Sequence, residues 1–276
     1  MTDRTPADPT PADLTPTDPT PAEEFAAFLA RIRADPRVAG AVLSGSRARE
    51  GAATPHSDYD VYLVAADGAE PSLTGEVRRD ARLDVSVLPL RDFRTHALPG
   101  SGTEWNRYAF CHAEVLKDTP DGLVADLVLA KSRLAPDEAA QRAPEILDAF
   151  LNSVYRALKN DRNGDATATR LDAAEALPFH LGYVFALHAR VRPYNKYLGW
   201  ELRHHPLSRP EWAHDHLLPL LERALSPSPA PALRQLFDEL EPHARAAGHG
   251  PVLDSWGDDL LLMRGSGDPP PARAVS

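Results

Sequence analysis

The chain has 276 residues, 43% of them hydrophobic and 25% charged, with a formal net charge of −10. That length supports one large domain or two modest ones with a real core, and the acidic balance argues against a polymeric nucleic-acid partner, which would call for a basic field. A single cysteine, Cys111, excludes an intrachain disulfide framework. The first residues contain no apolar signal-type segment and no later run is apolar enough to span a bilayer, so a cytoplasmic location without membrane contact is expected.

Residues 1–20 form a Thr-Pro-Asp-Ala repeat without an aromatic residue, a composition expected to stay disordered because it cannot bury enough surface to offset its ordering entropy. Residues 265–276 read as a second tail. Order is expected from Thr20, an N-cap followed by Pro21 and by Glu23 of a capping box. Phe25, Phe28, Leu29 and Ile32 then recur at helical spacing until Asp35-Pro36. "VAGAVL" (38–43) reads as a buried strand, and Ser44-Gly45-Ser46 leads into a short helical turn and a polar loop. Further strands are expected over 58–65, 82–89 and 113–118, about four in all, mixed with helices.

From about residue 134 the pattern is helical only. Ile146, Leu147, Phe150, Leu151, Val154, Tyr155 and Leu158 form an amphipathic stripe that stops before Gly164. A helix over 167–191 contains Pro178, which should kink or split it. Two more helices are expected near 210–225 and 230–247. The fold class is therefore α+β: a small mixed-sheet domain over 21–130, followed by an all-α bundle over 131–264.

Chemistry concentrates in "GSRAREGAATPHSDYDVYLV", residues 45–64. Asp58 and Asp60 stand two residues apart at the mouth of an apolar strand, so both carboxylates share one face. Side-by-side like charges repel, and a divalent cation is the common reason to keep them. Asp84, inside the apolar "LDVSV", would complete a three-carboxylate cluster if its strand adjoins the first. Such a cluster suits Mg²⁺, with Asp84 as a candidate base. Gly45 permits a tight turn, and Ser46 opens a helical turn that can donate to an anion.

Gly45-Ser46, eleven intervening residues, then Asp58-x-Asp60 before an apolar strand, with a later strand carboxylate, resembles the DNA polymerase beta-like nucleotidyltransferase superfamily. The branch it is most similar to is that of the aminoglycoside adenylyltransferases. The resemblance covers about 38–120, and the helical second half is similar to the bundle that follows this domain there. It implies two Mg²⁺ ions on Asp58, Asp60 and Asp84, and an NTP, ATP being the expected one, held by Gly45, Ser46 and Arg47. It further implies a basic residue of the helical domain on the triphosphate. In "HARVRPYNKYLGWE" (188–201) that role falls to Lys196, with Arg192 as helper and Tyr197 or Tyr194 stacking on the base. Basic residues at a helix end, packed among aromatics, are the plainer reading of this segment.

Other groups carry less. Arg156, Lys159, Asp172 and Glu175 read as a charged helix face, and Arg49, Trp105 and Tyr108 as exposed or packing residues. His204, His205, His214 and His216 lack the cysteine company of a zinc site. The functional expectation is transfer of a nucleoside monophosphate from NTP to the hydroxyl of a small-molecule acceptor, releasing pyrophosphate. Two alternatives stand beside it: an antitoxin-like or regulatory enzyme that modifies or binds a protein partner, and a catalytically silent nucleotide-binding relative.

Overall fold

The computed structural model describes residues 19–265; the tails expected at 1–18 and 266–276 lie outside the described residues. The chain divides into two compact units. Residues up to Thr95, with Ala113–Ala125, form one; His96–His112 and the residues from Asp126 onward form the other. The segment 96–112 thus groups with the helices, although it precedes the boundary expected at 130. It holds Arg107, Tyr108 and Phe110, all buried in the helical unit.

In the first unit, α1 (Pro21–Ala34) begins as its sequence dictates. The Thr20 side chain accepts from the Glu23 amide, and the Glu23 carboxylate accepts from the Thr20 amide at 2.8 Å. Phe28 and Ile32 of this helix are buried on a sheet ordered β3-β4-β2-β1-β5. Its strands are β1 (Val38–Ser44), β2 (Tyr59–Ala65), β3 (Arg78–Arg79), β4 (Leu83–Pro89) and β5 (Glu114–Lys117). Only β2 and β4 pair parallel, so the chain between them crosses over through residues 66–82. The fifth strand, absent from the sequence reading, is the two-residue β3, too short for any alternation to show.

Val38, Ala41, Leu43, Val61, Leu63, Leu83 and Val85 make the core of this unit with α1. After β4, α2 (Leu90–Thr95) follows directly. After β5, the Asp118 carboxylate accepts from the amides of Thr119, Val124 and Ala125 and so starts α3 (Leu123–Lys131), on which the division between the units falls.

The second unit is built on α4 (Pro136–Arg162) and α5 (Ala166–Leu187), with α6 (Leu198–His204), α7 (His214–Ala224), α8 (Ala230–Ala246), α9 (Gly250–Asp254) and α10 (Asp259–Met263). Pro178 does not split α5, which runs on past it to Leu187. Ala173, Ala176, Leu177, Leu181 and Val184 are buried on both sides of the proline and belong to one core with Leu147, Phe150, Leu151 and Val154 of α4. Burial of that much apolar surface outweighs the ~3 kcal/mol a helix-interior proline costs. Among the described residues no helix is long and apolar enough to cross a membrane.

Candidate metal centre and the residues around it

Strand register brings the acidic residues together. Asp60 of β2 lies opposite Asp84 of β4 on one side and opposite Ser44 of β1 on the other. The three adjacent strands therefore present Asp60, Asp84 and the Ser44-Gly45 turn at one sheet end. Asp58 precedes β2 by one residue, so the shared-face geometry expected for a strand pair extends to the residue leading into it. A carboxylate oxygen from each of Asp58, Asp60 and Asp84 lies within 4.8 Å of the other two, and all three residues are partly exposed.

Three hard oxygen donors at this separation fit a divalent cation such as Mg²⁺. The surroundings are shaped for the cluster as well. Gly45 has φ +68°, and a Cβ there would stand 1.7 Å from Asp60 Oδ2, so only glycine lets the turn and the carboxylate occupy the same corner. Arg79, on the two-residue β3 opposite Asp84, brings its Nε to 3.7 Å from Asp84 Oδ2, but that guanidinium is largely exposed. An exposed pair at that distance offsets little of the repulsion among three carboxylates.

The loop between Gly45 and Asp58 is held by a residue the sequence reading passed over, Ser57. Its hydroxyl accepts from Ser46 Oγ at 2.8 Å and from the Thr54 amide at 2.9 Å, and its carbonyl accepts from Arg47 Nη2 at 2.9 Å. Ser46 is buried, 2% exposed, with its hydroxyl turned into this loop. Arg47 also stacks over Tyr59, itself stacked on Phe25. Arg49 is buried and donates to the Gly45 carbonyl. The side chains after Gly45 thus fix the turn. A polar residue directly before Asp58 was the one sequence signal for Ser57.

In the helical unit, α5 ends in a Schellman turn: the Ala189 amide donates to Ala186 O at 2.9 Å and the Arg190 amide to Phe185 O at 3.0 Å. Ala189 takes the left-handed position at φ 52° where glycine is usual. This turn delivers Arg190 to Glu201, a carboxylate 4% exposed. Glu201 also accepts from Tyr108 Oη at 2.6 Å and is paired with His112 Nε2 at 2.8 Å. Burial alone would raise its pKa, but the bonds from His112, Tyr108 and Arg190 outweigh that and hold it at about 2. Nothing in the sequence marked this network, because its members lie far apart in the chain.

The basic and aromatic residues proposed for the nucleotide sit nearby in the same unit. Lys196 is exposed, its Nζ 5.1 Å from the Tyr197 ring centre. Tyr197 is buried against Tyr108, with ring centres 6.0 Å apart, a packing position. Tyr194 donates through its hydroxyl to Asn106 Oδ1 at 3.0 Å, and Arg192 donates to Asn195 Oδ1 at 2.6 Å. Asp172 is buried, receiving Arg156 at 2.6 Å and Asn160 at 2.7 Å, while Glu175 lies 3.7 Å from the same arginine. His204 stacks on Trp200, and His214 and His216 pair with Asp215 and Glu239. Among the described residues the only group of three or more candidate ligands close enough to hold a metal is the aspartate trio. No protein-family model matches the chain, and no match to it was found among curated proteins.

Proposed function

We propose that this chain is a Mg²⁺-dependent nucleotidyltransferase that moves a nucleoside monophosphate from an NTP, with ATP the expected donor, to a hydroxyl of a small-molecule acceptor. The observation that carries the reading is the convergence of Asp58, Asp60 and Asp84 to within 4.8 Å at the end of adjacent strands. The same corner holds a turn that only Gly45 can make. These are the positions that the resemblance to the polymerase beta-like superfamily marks for metal and base.

Asp58, Asp60 and Asp84 would hold the divalent cation. When bound, the cation supplies Lewis-acid polarisation of phosphoryl oxygens and neutralises their charge. The chain's own residues do the rest. Asp84, on the strand beside Asp60, takes the proton of the acceptor hydroxyl on a carboxylate oxygen. The acceptor oxygen forms its bond to the α-phosphorus as the bond to the departing pyrophosphate breaks. Gly45, lacking a side chain, keeps the corner beside Asp60 open, and Ser57 holds the loop that carries Asp58.

The test is a reaction with labelled ATP, Mg²⁺ and pooled metabolites and aminoglycosides, read by pyrophosphate release and by acceptor mass shift. Wild type should release pyrophosphate with an acceptor, and Asp58→Ala and Asp60→Ala should abolish that release. Undiminished release in both variants would overturn the metal assignment.

A further inference from the structure

Inside the helical unit lies a cavity of about 380 Å³ whose lining includes none of the aspartate trio. That is the size of a small-molecule site. Ile146 of α4 and Pro178, Phe179 and Ala186 of α5 give it an apolar floor, and Trp105, 74% exposed, stands at its edge. Its charged lining is one-sided, with Arg107, Arg142, Arg190 and Arg192 against a single acid, Glu104.

The four guanidiniums are not equivalent. Arg107 pairs with Glu138, to which Arg142 also reaches at 3.5 Å, and Arg190 is spent on Glu201. The Glu104 carboxylate accepts from the Gly100 amide. Arg192 is different: among the described residues no carboxylate pairs with it, and its one hydrogen bond is to the neutral Asn195 Oδ1. Its Nε is buried without a partner. Burial lowers its pKa, yet a guanidinium stays charged in any accessible range.

From this cavity we infer that the helical unit binds a small organic anion with a flat apolar body, its carboxylate or phosphate on Arg192 and its body against Phe179 and Ile146. A cationic ligand is disfavoured here, since it would face the Arg192 guanidinium, which has no carboxylate partner among the described residues. The inference stands apart from the nucleotidyltransferase reading and needs neither metal nor NTP.

The experiment is calorimetric titration of the full chain, without nucleotide or metal, with 2-naphthoate, its neutral amide 2-naphthamide and the cation 2-naphthylmethylammonium. The carboxylate should bind at least about tenfold more tightly than the amide, and the ammonium more weakly still. Arg192→Gln should bring carboxylate and amide to the same affinity, and Arg192→Lys should restore part of the difference, because the charge returns without the fork. Equal affinities for the three naphthyl probes in wild type, or absence of binding by any of them, would each overturn the inference. So would an unchanged carboxylate affinity in Arg192→Gln. The wild-type comparison stands even if a variant fails to fold.

Discussion

In the sheet unit, Asp58, Asp60 and Asp84 converge at a partly exposed strand end, and the ion pair made there by Asp84 reaches only to an exposed arginine at 3.7 Å. In the helical unit, Glu201 is a single buried carboxylate answered by Tyr108, His112 and Arg190. The first arrangement concentrates negative charge in reach of solvent. The second engages both carboxylate oxygens with the chain's own donors, which is how a buried charge is made tolerable. The buried acid is satisfied within the chain, whereas the partly exposed trio has the donor set a divalent cation takes.

The sharpest way to break this contrast is to neutralise the trio. Under the proposed function, Asp60→Asn should lower pyrophosphate release by about 10²–10³-fold, the equivalent of several kcal/mol of charge stabilisation. Without divalent ions the same variant should melt no lower than wild type, and Asp84→Asn should melt slightly higher, since Asp60 and Asp84 lie directly opposite each other. Added Mg²⁺ should raise the melting temperature of wild type alone. A lower melting temperature for Asp84→Asn in chelator would place these carboxylates with Glu201 as scaffold.

Glu201→Gln should act in the opposite sense. Removing the charge strands Arg190 and His112, with an expected loss of about 3 kcal/mol in denaturant unfolding. A loss no larger than that of an exposed carboxylate would erase the distinction between the two centres.

Acid titration sharpens the comparison from the side of the helical core. His180 is completely enclosed beside Phe150, both its ring nitrogens lack partners, and burial pushes its pKa down to about 3. The unfolded chain, with an ordinary histidine, binds the proton first as pH falls below about 6.5, so stability must fall with pH through that window. Glu201, held at about 2, begins to lose its share only below the usual glutamate range, near 4.5. Between pH 6.5 and 4.5 His180 alone should therefore cost about 2 kcal/mol. His180→Leu should flatten that part of the curve, and an unflattened curve would remove His180 as its origin. His96, His188, His205 and His249, also lowered by burial, slope the same way and leave a residue of the effect in the variant.

The smallest effect belongs to the turn that delivers Arg190. Ala189→Gly should raise stability by about 1 kcal/mol in the same denaturant assay, since glycine takes a left-handed φ of 52° without the Cβ clash. The corresponding change in the sheet unit runs the other way. Gly45→Ala should destabilise the strand end and displace Asp60, because the added methyl would meet its carboxylate.

Several elements were legible before any coordinates. The capping box at Thr20 and Glu23, the apolar runs of β1, β2 and β4, and the stripe of α4 are local patterns, and local patterns persist because backbone geometry repeats every two or 3.6 residues. The pair Asp58 and Asp60 was legible for the same reason. The split expected at Pro178 does not occur, because a proline's cost is local while the burial that overrides it on both sides of α5 is not. Ser57 was passed over because its value lies in partners across a loop.

What the residue order settled unaided was the division into a strand-rich first part and a helix-rich second part, and the identity of the acids worth watching. Tertiary structure alone decided that β2 and β4 run parallel in the register that sets Asp60 beside Asp84, and that residues 96–112 leave the sheet to supply Tyr108 and His112 to Glu201. It alone left Arg192 lining a cavity with no carboxylate partner among the described residues. Each of these depends on which distant segments share a core, and that choice is made by the packing of whole elements, which no short window of sequence records.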